Sequence, residues 1–118
     1  MTDDDRGAVE QGVREYFDSW FEGDPDRMTR ALHPELAKRR ATGDGSELVL
    51  IRAEDVIEDT RSGPKKYERN YEVVVLDVDG DMASAVVHSQ PFTEYLHLGR
   101  FEDGWRIVNA FYRRNPAH

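Results

Sequence analysis

The chain has 118 residues, 38% of them hydrophobic and 34% charged, with a formal charge of −8 at pH 7. That length supplies one core and not two, so 1–118 is expected to be a single domain, with 1–5 flexible. The acidic balance argues against nucleic acid as a partner, and the absence of cysteine excludes disulfides and thiolate metal sites.

No run approaches the ~20 apolar residues that span a bilayer, and the acidic stretch from Met1 to Arg6 has no apolar segment behind it. No membrane contact is expected, and a cytoplasmic location is the default. The basic clusters Lys38-Arg39-Arg40 and Arg113-Arg114 are short, and read as solvated strand edges or ends.

Met1 to Asp5 is expected to fray, with an aspartate capping the first helix. Val9, Val13, Phe17 and Phe21 then recur every four residues, with Tyr16 and Trp20 one step aside, which predicts an amphipathic helix over Arg6 to Glu22. Gly12 weakens that helix, and Gly23-Asp24-Pro25 ends it. Asp24 is placed to cap a second helix from Pro25 to Leu32, which stops before His33-Pro34.

Ala37 to Thr42 and Leu48 to Ile51 read as strands around the turn Thr42-Gly43-Asp44-Gly45. Ala53 to Arg61 reads as a helix with Val56 and Ile57 on its buried side, closed by Ser62-Gly63-Pro64. A polar bridge runs from Lys65 to Asn70.

The last third is a sheet. Asp79-Gly80 and Asp103-Gly104 are favoured two-residue hairpin loops, and Ser89-Gln90-Pro91-Phe92 is the turn between them. Those loops pair Leu76 with Ala83, Ala85 with Leu96, and Leu98 with Asn109. Because side chains alternate, one face collects Val74, Leu76, Val78, Ala83, Ala85, Val87, Leu96, Leu98, Trp105, Ile107, Asn109 and Phe111. The other collects Tyr71, Val73, Val75, Ser84, Val86, His88, Tyr95, His97, Phe101, Val108, Ala110 and Tyr112. The first is expected to take the long helix. The second is aromatic enough to want a partner surface, and a second copy of the chain is the simplest partner.

The order of elements, with the pieces Tyr16-Phe17-Asp18-Ser19, Gly23-Asp24, Leu32-His33-Pro34, Glu94-Tyr95-Leu96-His97-Leu98 and Asp103-Gly104-Trp105-Arg106-Ile107-Val108-Asn109, resembles the nuclear transport factor 2-like α+β fold. Within it the chain is similar to the small bacterial proteins labelled putative lumazine-binding, and more distantly to polyketide-cyclase-like and ketosteroid-isomerase-like members. The resemblance implies a cone-shaped curved antiparallel sheet with helices on its concave face, as in cystatin-like rolls, and a conical pocket over the first face. Where such proteins often carry Asp before the Tyr-Leu pair, this chain carries Glu94.

With that pocket, Tyr16 and Trp20 become aromatic walls, Ala83 and Ala85 leave room, and Leu96, Leu98 and Phe111 complete an apolar lining. Asn109 would be its buried amide, in need of a partner. Glu94, set opposite Arg113 by the register, is either a pocket carboxylate able to act as a base or a rim ion pair. His33 stands near the mouth. His88 and His97 share the second face with Tyr71, Tyr95 and Tyr112, a face expected to dimerise, and they have no carboxylate at metal-ligand spacing. Neither a metal nor a cofactor is expected.

Three functions stay open. The first is a homodimer that binds a small hydrophobic or heteroaromatic molecule, with Asn109 and Tyr16 as polar anchors. The second is a cofactor-independent isomerase, dehydratase or cyclase, in which Glu94 moves a proton and Tyr16 or Asn109 steadies an enolate-like oxygen. The third is an interaction module that works through its Tyr-rich face.

Overall fold

The computed structural model describes residues 3–116, with side chains from Asp5 onward. The element order is α1 (Asp3–Glu22), α2 (Pro25–Ala31), β1 (Leu32–Ala41), β2 (Leu48–Arg52), α3 (Ala53–Arg61), β3 (Tyr71–Asp79), β4 (Met82–Ser89), β5 (Phe92–Phe101) and β6 (Gly104–Arg114). Helix α1 begins earlier than expected, because Asp3 to Asp5 are helical; the expectation of a frayed Met1 lies outside the described residues.

The turn between α1 and α2 forms as its residues dictate. Gly23 takes φ of 71°, the Asp24 side chain accepts a bond from the Arg27 backbone N–H at 3.1 Å, and Pro25 opens the next helix. Helix α2 passes straight into β1, which is longer than the sequence suggests. Pro34 is accommodated because the ladder to β6 is irregular between Leu32 and Ala37, so no ladder bond is asked of it.

The six strands form one curved, unclosed mixed sheet in the order β2-β1-β6-β5-β4-β3. Neighbours pair antiparallel except β1 with β6, which run parallel. Helix α1 lies across the concave side with Val9, Val13, Tyr16, Phe17 and Phe21 buried, as the four-residue period predicts. Beneath it Ala83, Ala85, Val87, Leu96, Leu98 and Ile107 close the core.

Two bulges decide which side chains face that core. The β3–β4 loop is Gly80-Asp81, one residue later than expected, and the β5–β6 loop is Glu102-Asp103, one residue earlier, since Asp79 pairs with Met82 and Phe101 with Gly104. A loop that slides by one residue moves the pairing by two positions and leaves the faces unchanged. Val78, Trp105 and Ile107 therefore point inward as expected.

A single extra residue has the opposite effect. The register shifts between Val75 and Asp77, and again on β6, where Leu98 faces Ile107 but His97 faces Asn109. Beyond each shift every side chain changes side. Tyr71, Val73 and Val75 turn inward while Val74 and Leu76 are exposed; Ala110 and Tyr112 turn inward while Asn109 and Phe111 face outward. The predicted pairs Leu76–Ala83 and Leu98–Asn109 are corrected by the two-position slide at the loops to Val78–Ala83 and Leu98–Ile107, and the pair Ala85–Leu96 holds. The bulges also strengthen local bend and twist, as curving a sheet around a helix requires. No helix among the described residues is long and apolar enough to cross a membrane.

Candidate functional site

The concave side is not filled throughout. Between the C-terminal half of α1, helix α3, strands β1 and β2 and the ends of β5 and β6 lies an open cavity of about 1010 Å³. Its walls are aromatic. Trp20 stands edge-on to Phe92 at 5.6 Å between ring centroids and stacks with Tyr67 at 6.0 Å, and Phe92 meets Tyr112 edge-on at 5.7 Å.

The floor is charged. Glu94 is 3% exposed and faces inward from β5, opposite Tyr112 rather than the expected Arg113. It forms no rim pair with Arg113. Instead the Tyr16 hydroxyl donates to Glu94 Oε1, Lys38 Nζ donates to the Tyr16 hydroxyl at 2.6 Å, and the same ammonium stands 3.3 Å from Oε1. Lys38 also lies over the Tyr112 ring, 4.5 Å from its centroid, a cation–π contact available only because the β6 bulge turns Tyr112 inward.

The three groups hold one another in place. Burial, then the nearby Glu94 charge, pushes the Tyr16 phenol well above its ordinary 10, so it remains a hydrogen-bond donor at neutral pH. Oε2 of Glu94 receives no hydrogen bond from a described residue. Among those residues no side-chain polar atom is sealed from solvent without a partner, so this oxygen looks into the cavity.

At the upper edge Trp20 Nε1 donates to Asp59 Oδ2 at 2.8 Å, tying α1 to α3. Lys65 Nζ donates to the Asp59 carbonyl at 2.7 Å, to Ser62 Oγ and to the Gly63 carbonyl, which holds the Ser62–Lys65 loop against that edge.

The expected site is thus only partly assembled. Tyr16, Trp20 and Glu94 meet at the cavity. Ala83, Ala85, Leu96 and Leu98 are not among the residues that line this cavity; they are buried in the packed core under α1. Asn109 and Phe111 are corrections: the bulge puts both on the outer face, where the Asn109 amide approaches His97 Nδ1 at 3.4 Å. The His33 ring lies tilted against Phe101, 4.7 Å between centroids, and accepts a bond from the Glu35 N–H, away from the cavity.

The expected dimer face is divided in the same way. His88, Tyr95 and His97 are exposed on the convex side. Tyr71 and Tyr112 are on the concave side, where the Tyr71 hydroxyl donates to Asp18 at 2.7 Å. Burial and that bond push the Tyr71 phenol up to about 12.

Sequence reasoning misses Lys38, Arg40, Tyr67, Phe92, Tyr112 and Arg114 as cavity residues. For Lys38 and Arg40 a signal existed. A basic run on a strand puts alternate members on one face, and here Lys38 and Arg40 face the cavity while Arg39 is exposed. For Tyr112 there was none, because its side depends on the bulge.

Solved structures share this architecture across nearly all of the chain. A nuclear transport factor 2-like protein of unknown function from Shewanella baltica superposes with a TM-score of 0.81 at 17% identity, covering 99% of both chains. A like protein from Silicibacter pomeroyi gives 0.77 at 21% identity, covering 98% of this chain and all of that one. A ketosteroid isomerase-like protein from Erwinia carotovora atroseptica gives 0.70 at 12% identity, covering 98% and 100%. At these identities the likeness is one of fold. No curated protein matches the chain in sequence. The model of the family described as putative lumazine-binding matches residues 4–113, nearly the whole chain, and the protein belongs to that family.

Proposed function

We propose that the protein binds a small, flat heteroaromatic molecule in the cavity under α3, with Glu94 rather than Asn109 as its central polar anchor. The observation that carries this reading is the carboxylate on the cavity floor. One oxygen is held by Tyr16 and Lys38, and the other faces a space walled by Trp20, Tyr67, Phe92 and Tyr112. An N–H of a ring edge would satisfy that second oxygen, and the aromatic walls would take the ring faces. Membership of a family described as putative lumazine-binding agrees with a ligand of this kind.

Thermal denaturation with a set of bicyclic heteroaromatic compounds tests it. At about a hundredfold excess over Kd a true ligand adds about 2.7 kcal/mol of stability, and Glu94→Gln and Trp20→Ala should abolish the shift. If no compound stabilises the protein, or if both variants respond as the parent does, the reading fails.

The same carboxylate supports one half of the catalytic alternative, since a base must face the cavity. The other half lacks support: the Tyr16 hydroxyl that would steady an enolate-like oxygen is turned toward Glu94 itself. Recovery of the bound compound unchanged after incubation is the outcome expected here.

A second copy against the convex face is the companion proposal. Tyr95, Phe111 and Leu76 are each at least half exposed there, a large amount of apolar surface to leave in water. Sedimentation at the mass of two chains, reduced to one by Tyr95→Glu, is expected. A monomer at every concentration would end the idea.

A further inference from the structure

We propose that the ligand is a planar aromatic acid, its anionic group held at the cavity mouth by Arg40 and Arg114. The inference rests on the small-molecule reading of the cavity and adds the ligand's charge. Five cationic side chains line the cavity against three acidic ones, in a chain whose net charge is −8.

Each of the three acids has a partner, although Glu94 keeps Oε2 open to the cavity. Glu94 is bonded to Tyr16 and Lys38, Asp59 accepts from Trp20, and Asp55 accepts from the Arg52 backbone N–H at 2.9 Å. The three cavity arginines, Arg40, Arg113 and Arg114, have no acidic partner among the described residues, and Arg113 donates only to the Asn115 amide oxygen at 3.3 Å. Arg40 makes no hydrogen bond or ion pair with a described residue, although it is half-buried and carries five N–H donors. Arg114 donates one bond, to the Tyr67 hydroxyl at 3.1 Å, and its guanidinium lies 5.4 Å from the centroid of the Phe92 ring. That aromatic clamp fixes the guanidinium at the edge of the wall and leaves its other donors open.

Several arginines outside the cavity are paired with acids, as in Arg14–Glu10, Arg27–Glu15 and Arg61–Glu58. Unpaired guanidinium groups above an aromatic slot suit a carboxylate carried by a flat ring, because the planar fork binds a carboxylate through two parallel bonds. Glu94 on the floor would disfavour a second anionic group, so the acid should sit at the mouth with the ring below it.

Calorimetric titration of the whole chain with indole-6-carboxylate, whose ring N–H can meet Glu94, and with its primary amide separates the possibilities. The acid is expected to bind about tenfold more tightly than the amide. Raising the salt from about 20 mM to about 500 mM should shrink that preference. Arg40→Gln and Arg114→Gln should each remove most of it. Arg39→Gln, the same charge change on a side chain outside the cavity, should preserve it. Equal binding of acid and amide overturns the assignment of charge while leaving the cavity reading intact. Loss of the preference in Arg39→Gln overturns it too, by making it a property of net charge. Binding of neither probe sinks the cavity reading and this inference with it.

Discussion

Replacing Gly23 with alanine is expected to cost about 3 kcal/mol of stability, the largest effect of any glycine substitution in the chain. Two penalties combine. The residue sits at φ of 71°, a left-handed conformation that disfavours a Cβ by about 1–2 kcal/mol. That Cβ would also come within 2.5 Å of the Gly63 carbonyl carbon and 2.7 Å of the Pro64 nitrogen, backbone atoms that cannot swing aside. The loop after α3 is bound to the end of α1 at this point, through the Lys65 N–H donating to the Phe21 carbonyl at 3.0 Å. Pushing it away would also displace Lys65 and Tyr67 from the cavity. Gly80 is the control: it has φ of 59° with open space around it, so Gly80→Ala should cost only the conformational part, about 1 kcal/mol. Equal losses in the two variants, measured by urea denaturation, would refute the close-packing argument.

The second large effect belongs to the cavity floor. Lys38→Met leaves Glu94 buried with only the Tyr16 hydroxyl for company, and should destabilise the protein by about 2–3 kcal/mol. This lies below the cost for a fully sealed pair because the open cavity admits water. Glu94→Gln in that background removes the stranded charge, so the double variant should be more stable than Lys38→Met alone. A double-mutant cycle is expected to return a coupling of at least about 1 kcal/mol, whereas additivity within about 0.5 kcal/mol would mean that the two groups do not support one another.

The helices and the order of elements are legible in the sequence because their signals are local. Valines and phenylalanines at four-residue spacing give α1, and Gly23-Asp24-Pro25 gives the turn into α2. The faces are legible only as far as the first bulge on each strand. Val73-Val74-Val75-Leu76 is apolar at every position, so no alternation marks the point where the register slips. Ile107-Val108 conceals the second slip in the same way, and it carries Asn109 out of the interior and Tyr112 into it. Glu94 escapes this ambiguity because β4 and β5 pair without a bulge. Its partner Lys38 does not, since the contact depends on β1 joining the sheet beside β6, a pairing between residues far apart in sequence.

The most direct measurement uses the two tryptophans as opposed reporters, one in the cavity and one packed beside Gly12 at the middle of α1. On titration with a stabilising heteroaromatic compound, the ¹H–¹⁵N indole signal of Trp20 should shift strongly while that of Trp105 stays in place. Movement confined to Trp105, or to Asn109 and His97 on the convex side, would contradict the assignment of ligand binding to the space above Glu94.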